Sequence, residues 1–356
     1  MLNSSPVTSA SQHIVVAALL GCAIGDALGL PAEGLSSRVI ARRFFDLSRF
    51  HLLGRTGFVS DDTEQTALVA EAIAVAHQGG CFDEDRAVRH FRRRLAGWFL
   101  RLPFGIGLAT LRASIKILLG FQHSGVRSAG NGAAMRAAIV GVAFADDEAT
   151  RRSLGRRLAL ITHDDERAVQ GALFIAELAA RLAGRGTLAP AVVSDVARQC
   201  LRDVVTETSL REALERALQL ATDVDDARGA AALGTTGFVL HTVPLATFLL
   251  IRHSHDAMQA IRAAIVIGGD TDTNAAIVGA IAGAQQGASF ETSLIDELHD
   301  GPFGPSHLRA LGGALAARTA PPRWSALAAL VRNVLLIPVI IVHGLRRLLP
   351  VASLRD

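Results

Sequence analysis

The chain has no tyrosine, a single lysine (Lys116), two tryptophans and three cysteines. Each shortage excludes something. Cys22, Cys81 and Cys200 lie far apart and form no CxxC pair. That excludes a disulfide framework and a thiolate metal site, and a reducing, cytoplasmic setting is expected. Basic and acidic residues nearly balance, 36 against 33, so the net charge of +3 argues neither for nor against a polyanionic partner. With aromatic residues at only 5%, there is no aromatic-rich basic patch to suggest nucleic acid. Long alternating apolar and polar runs, the mark of half-buried strands, are missing. The start, MLNSSPVTSASQH, lacks the basic opening and apolar core of a secretory signal, and the apolar stretch Ile14–Leu20 is short and runs straight into Gly21.

What is present is helix-forming. Half of the chain is hydrophobic, and Ala, Leu, Arg and Glu dominate. The patterning predicts helices over 61–78, 84–100, 132–145, 149–161, 165–183, 189–203, 209–222, 239–251, 256–267 and 273–286, with breaks at Gly79-Gly80, Gly184–Gly186 and Gly229–Gly237. No linker interrupts residues 14–300, which predicts one all-α domain with no regular internal repeat. The tail, 301–356, differs. It opens with Gly301-Pro302, Gly304-Pro305 and Pro321-Pro322, then turns strongly apolar from Trp324 to Leu349. Arg332, Asn333, Pro338 and His343 interrupt that run, which argues against a spanning helix. A docked helix pair is the expectation. Contact with a membrane surface, with Arg346 and Arg347 at the headgroups, is the alternative.

Two acidic clusters carry the chemistry. Ser60-Asp61-Asp62-Thr63 and Asp270-Thr271-Asp272-Thr273 each follow glycines and open an Ala-rich apolar run. Helix capping would explain one or two polar residues at each place, but each cluster supplies four in a row. Together they make a hard, oxygen-only ligand set suited to Mg²⁺, Mn²⁺ or Ca²⁺. Three further segments stand out. In Gly21–Glu33 the glycines suit close helix packing and a helix end, Asp26 reads as a buried structural carboxylate, and Glu33 follows Pro31 in a loop where an acid can face a ligand. Ser128-Ala129-Gly130-Asn131-Gly132 leaves backbone N–H groups accessible before a helix, as a phosphate-binding turn does, and Arg136 just beyond it is a partner for Asp26 or another buried acid. Thr162-His163-Asp164-Asp165 offers His163 to a ligand, or simply caps the next helix. His253-Ser254-His255-Asp256 reads as a helix end and a cap, and Arg92–Arg94 and Asp223–Asp226 read as solvated faces. A rival reading takes Asp270-Thr271-Asp272 as the signature of haloacid-dehalogenase-type phosphotransferases. It fails because Gly268-Gly269 intervene after the apolar run and no lysine follows.

In order, GDALGLPAE, SDDTEQTAL, SAGNGAAMRAA, ITHDDERA and GGDTDTNAAIVGAIAGAQQG resemble the motifs of the ADP-ribosylglycohydrolase family over roughly residues 14–290. Five ordered motifs are far more specific than one. The resemblance implies an all-α fold with two Mg²⁺ or Mn²⁺ ions in a central cleft. It implies Ser60, Asp61, Asp62, Asp270, Asp272 and Thr273 as ligands and Glu33 as the acid near the scissile bond. It places Ser128, Ala129, Gly130, Asn131 and Gly132 around the diphosphate and His163 by the adenosine half. The partner is then an ADP-ribosylated protein or small molecule. An ADP-ribose-binding or toxin-neutralising role on the same fold, with an ADP-ribosylating toxin as partner, is the alternative. The chain departs from the pattern at Ala129, where some relatives carry an aromatic, and at Asn274 and Gln285-Gln286. Without tyrosine, adenine stacking falls to Phe58, Phe104, Phe121, His123 or nothing.

Overall fold

Gly21, Gly25 and Gly29 do not stop the N-terminal apolar run. They let it become the centre of the molecule. The structure, a computed structural model, describes residues 9–347 apart from 45, 78–80 and 291. The Gly79-Gly80 break and the end of the apolar tail, at 348–349, lie outside the described residues. The helices are α1 (Ser9–Gly29), α2 (Ser37–Arg43), α3 (Asp61–Ala76), α4 (Glu84–Phe99), α5 (Leu108–Leu118), α6 (Ala138–Ala143), α7 (Glu148–Leu160), α8 (Glu166–Leu182) and α9 (Pro190–Val204). They continue with α10 (Thr208–Asp223), α11 (Asp226–Leu233), α12 (Val239–Arg252), α13 (Ala257–Val266), α14 (Thr271–Gln286), α15 (Leu294–Glu297), α16 (Pro305–Ala316) and α17 (Ala326–Arg347). Among the described residues β structure is limited to isolated bridges, so the fold is all-α as expected.

The closest helix pair is α1 with α14. A Cβ on Gly21 would strike the carbonyl of Gly279, and one on Gly25 the carbonyl of Ala275. A Cβ on Gly29 would lie 2.5 Å from the carbonyl oxygen of Thr271. This seam of small residues brings two backbones into contact and sets Asp26 on α1 beside the start of α14. Around it, α3 packs on α1, α4 and α16, while α8 and α12 close the other side against α14.

Nine of the ten predicted helices form with ends within two residues of the expectation, α3 ending at Ala76. The exception is 132–145, where only Ala138–Ala143 is α-helical. Residues 131–133 form a single 3₁₀ turn. There the Asn131 N–H is spent on the Gly237 carbonyl, and the Gly132 carbonyl accepts from the buried Arg136 guanidinium. Helix α1 was not expected as one element. Helix α11 runs through Gly229, which packs under the Phe248 ring, and the real break comes at Gly234, with φ of 82°. Arg92 and Arg94 are not free solvated charges. Arg92 donates to Ser124 Oγ and Arg94 pairs with Glu71. Asp226 likewise pairs with Arg252 and His253. Asp256 caps α13, as the sequence suggested.

The tail docks on the body through one face. Trp324 Nε1 donates to Glu71 Oε2 at 3.1 Å, and Asn333 Nδ2 to the Arg101 carbonyl at 2.9 Å. Arg332 is buried and pairs with Glu64, whose other oxygen accepts from Trp98 Nε1 at 2.6 Å. At its far end α17 reaches the loop after α1: His343 Nε2 bonds the Pro31 carbonyl at 2.8 Å and Arg347 donates to the Glu33 carbonyl.

Candidate metal centre and cleft

Elsewhere in this chain aspartates cap helices in the ordinary way. Asp83, Asp147, Asp165, Asp225 and Asp256 each accept a backbone N–H of the helix they precede. The two acidic clusters break that habit. Neither Ser60, before α3, nor Asp270, before α14, makes a side-chain cap bond. The α3 N-terminus is served instead by Asp26 from α1. Its carboxylate accepts from the N–H and hydroxyl groups of Ser60 and Thr63, at 2.5–3.1 Å. That frees Asp61 and Asp62 from capping. At α14, Thr271 Oγ1 donates to the Gly29 carbonyl at 2.8 Å, locking the helix start against α1. Asp270 Oδ2 accepts from Asn131 Nδ2 at 2.6 Å, and Asp272 Oδ1 from the Thr273 N–H at 2.9 Å. Thr273 Oγ1 donates to Asp62 Oδ2 at 3.2 Å, which ties the two clusters together across 211 positions of sequence.

The acids line or back a cleft of about 570 Å³, a volume usual for a small-ligand site. Glu33, Asp61, Asp270, Asp272 and Thr273 line it. Ser60 and Asp62 are buried directly behind. One oxygen each from Glu33, Asp270 and Asp272 lie within 4.8 Å of one another. Both clusters sit at helix N-termini, whose partial positive charge favours anions, but that does not offset so many carboxylates. Burial, then Asp272 and the other acids, pushes Asp61 well above the usual carboxylate range. Burial, then Asp61, does the same to Asp62, and burial, then Glu33, to Asp272. Glu33, at the rim, is raised by lost hydration and by Asp270, with Arg347 opposing.

These residues fit a divalent cation. Asp62 Oδ1 is buried with no hydrogen-bond partner, an expensive state for a carboxylate oxygen unless a cation meets it. The hydroxyls of Ser60 and Thr273 spend their protons on carboxylates and so turn lone pairs outward. Room is kept by glycine as well: a Cβ on Gly105 would lie 2.5 Å from Asp61 Oδ1, and one on Gly237 3.0 Å from Asp270 Oδ2.

The opposite wall is the glycine turn. Ser128, Gly130, Asn131, Gly132 and His163 all line the cleft. Ala129 is not among the lining residues, and its carbonyl accepts from the Val239 N–H at 2.8 Å. The Gly130 N–H donates to Ser128 Oγ at 3.3 Å. A Cβ on Gly132 would come 2.9 Å from His163 Cε1, so the turn rests on the imidazole. Burial, then the Arg136 charge, lowers His163 to about 3, so it is a neutral ring. Its Nδ1 lies 2.8 Å from Thr162 Oγ1. Arg136 does not pair with Asp26. Its guanidinium bonds Gln65, Thr162 and the carbonyls of Gly132 and Leu158, because Asp26 is already satisfied by Ser60 and Thr63. None of Phe58, Phe104, Phe121 and His123 is among the lining residues, and Phe58 stacks on His299 instead. The sequence reading also missed Gln65, which donates to Asp61 Oδ2 at 3.1 Å. Its place one turn after Asp61 was the available signal.

An all-α domain with a cleft of buried acids between two helix N-termini offers oxygen ligands of the kind a hard divalent cation takes. The chain belongs to the ADP-ribosylglycohydrolase family, whose model matches residues 8–324. It is 30% identical over 292 residues to an uncharacterized protein of Archaeoglobus fulgidus, covering 80% of this chain and 91% of that one. It is 27% identical over 311 residues to ADP-ribosylhydrolase ARH3 of Xenopus tropicalis, covering 76% and 86%. A solved structure described as an ADP-ribosylglycohydrolase-related protein complex superposes with a TM-score of 0.67 at 26% identity, over 88% of this chain and all of the other. The family model ends within the tail, after α16 and before α17.

Proposed function

We propose that the chain is a divalent-metal-dependent hydrolase that releases ADP-ribose from a modified protein side chain or small acceptor by cleaving the bond at C1″ of the distal ribose. The observation that carries this reading is the convergence of Asp61, Asp62, Asp270 and Asp272 from two distant helix starts at one cleft, where burial and neighbouring acids raise the Asp61, Asp62 and Asp272 carboxyls. Those four carboxylates, with Ser60 and Thr273, would hold two Mg²⁺ or Mn²⁺ ions. When bound, such ions supply Lewis-acid polarisation of sugar hydroxyls and an acidified water.

The rest falls to the chain. Glu33, on the rim loop, accepts the proton of the attacking water or orients the sugar. Cleavage passes through an oxocarbenium-like state at C1″, and the proton that Glu33 takes from the water returns to the departing acceptor atom. Ser128, Gly130, Asn131 and Gly132 receive the diphosphate against the opposite wall, where Gly130 and Gly132 leave room beside the Ser128 hydroxyl, while the Gly130 and Asn131 N–H groups are bonded within the chain. Neutral His163 supports that turn and offers an imidazole face to the nucleoside. With no aromatic ring from Phe or Trp among the lining residues, adenine is held by packing on His163, Leu108 and Met135. Three free cysteines, of which Cys22 and Cys200 are buried, suit a reducing compartment such as the cytoplasm.

The test is release of ADP-ribose from arginine-, serine- and nucleic-acid-linked substrates, with and without EDTA. Turnover on at least one linkage, lost in EDTA and restored by Mg²⁺ or Mn²⁺, is expected. Glu33→Gln should lower the rate by roughly 10²–10⁴ while ADP-ribose affinity changes little. Tight ADP-ribose binding with no turnover on any linkage would replace this reading with a binding protein.

A further inference from the structure

Helix α17 is two-faced in an unusual sense. Its inward face holds the polar residues, and its outward face is aliphatic. Ala329, Arg332, Asn333 and Leu336 are buried against the body. Leu327, Val331, Val334, Leu335, Ile341 and Leu345 point outward, Leu327 at 69% and Leu335 at 65% exposed. Only 22% of its most apolar 18-residue window is buried. The apolar surface continues to either side. Val342 shares a groove with Leu53, and Leu100 and Leu102 flank Arg101, whose carbonyl Asn333 bonds. A contiguous apolar patch of this kind marks an interaction site.

Charge decides the occupant. From Gly301 to Arg347 there is no acidic residue, while Arg323, Arg346 and Arg347 bracket the helix. Helix α2 carries the exposed Arg38 and Arg42, and Arg43 at its C-terminal end bonds the Arg346 carbonyl at 2.9 Å. A second copy would meet this face badly. Paired antiparallel, Arg346 and Arg347 would oppose Arg323; paired parallel, they would oppose themselves. Neither arrangement brings an acid from this segment. An anionic surface suits both parts. A spanning helix is disfavoured, because crossing would pull Arg332 from Glu64 and leave each as an unpaired charge.

We propose that the outward face of α17 is a docking surface for an anionic lipid bilayer, on which the helix lies parallel to the membrane plane. The aliphatic side chains enter the headgroup–acyl boundary and the arginine cluster sits among the anionic headgroups.

The experiment is co-sedimentation of the full chain with vesicles. With phosphatidylcholine and phosphatidylglycerol at about 7:3, the chain should pellet, and with phosphatidylcholine alone it should largely remain in solution. Binding should weaken as salt rises. Leu335→Glu with Ile341→Glu should lower partition at least about ten-fold, because two charges replace inserted apolar groups. The melting temperature of that variant should stay unchanged, since both side chains face outward. Arg42→Glu with Arg346→Glu should cost several-fold on anionic vesicles only. Failure to pellet with anionic vesicles, or equal pelleting of the Leu335→Glu/Ile341→Glu variant, would overturn the proposal. So would a concentration-dependent dimer that the same variant dissolves without any vesicle binding, which would assign the face to a second copy. Resistance of the bound chain to alkaline carbonate would overturn it in favour of a span.

Discussion

The segment Gln12–Ala32, which holds most of α1, and helix α17 are nearly matched in length, 21 and 22 residues, and both are apolar enough to pass for membrane spans. Their fates are opposite: the most apolar window of the first is 89% buried and that of the second 22%. The difference lies in shape. Helix α1 carries Gly21, Gly25 and Gly29 at four-residue spacing, a groove into which the backbone of α14 settles. Its one acid, Asp26, is fully engaged by Ser60 and Thr63. Helix α17 has bulky aliphatics on its outer side, Pro338 within it, and its only glycine, Gly344, in open space. Apolarity alone does not place a helix inside. A backbone that another backbone can approach does.

The sharpest way to break the comparison is to fill the groove. Gly25→Val places side-chain atoms where the Ala275 carbonyl sits, and both partners are backbone that cannot turn aside. The variant is expected to lose more than about 4 kcal/mol or to fail to fold, which is exceptional for a single substitution. Soluble yield and a thermal melt check this. The next largest effect belongs to the inner face of α17. Arg332→Leu leaves Glu64 buried beside Trp98 without its cation. A loss of about 3–5 kcal/mol is expected in denaturant unfolding, and Glu64→Gln combined with Arg332→Leu should recover part of it. On the outer face Leu335→Ser should shift stability by no more than about 0.5 kcal/mol, as at other surface positions. A large loss there would mean that the outer face is covered.

The same contrast explains what could be read from the sequence. Helices α4 and α8 to α10 announced themselves through one-sided apolar periodicity and an acidic cap or proline at their starts, as Asp83, Asp165, Pro190 and Glu207 supply. The acids of the two clusters were legible because four polar residues exceed what a cap needs. Less legible was why they are free to serve a ligand. That depends on Asp26 capping α3 from another helix, a contact across 34 positions. Helix α1 was hidden because glycine is a poor helix former, and only its fit to Gly279 and Gly283 makes the glycines an asset. Arg136 was matched to Asp26 or another buried acid on charge alone, whereas its hydrogen-bond partners are carbonyls, an amide and a hydroxyl. The tail's two faces were posed as alternatives, docked or membrane-facing. The inner contacts of Arg332 and Asn333 and the exposure of Leu335 belong to opposite sides of one helix.

The central claim is that the buried acids form a divalent-cation site. The most direct measurement is thermal denaturation with and without Mg²⁺ or Mn²⁺ at two pH values. Asp61, Asp62 and Asp272 have folded-state pKa values above the ordinary carboxylate range. The metal-free fold therefore holds protons that the unfolded chain releases, and its stability falls as pH rises above the unfolded-state values near 4. A cation displaces those protons and binds best where they are already leaving. The melting temperature should rise on adding metal, by more near pH 7.5 than near pH 5.5, and Asp62→Asn should raise the metal-free value while abolishing most of the gain. A melting temperature that neither metal shifts at either pH, with the wild type and Asp62→Asn alike, would contradict the account.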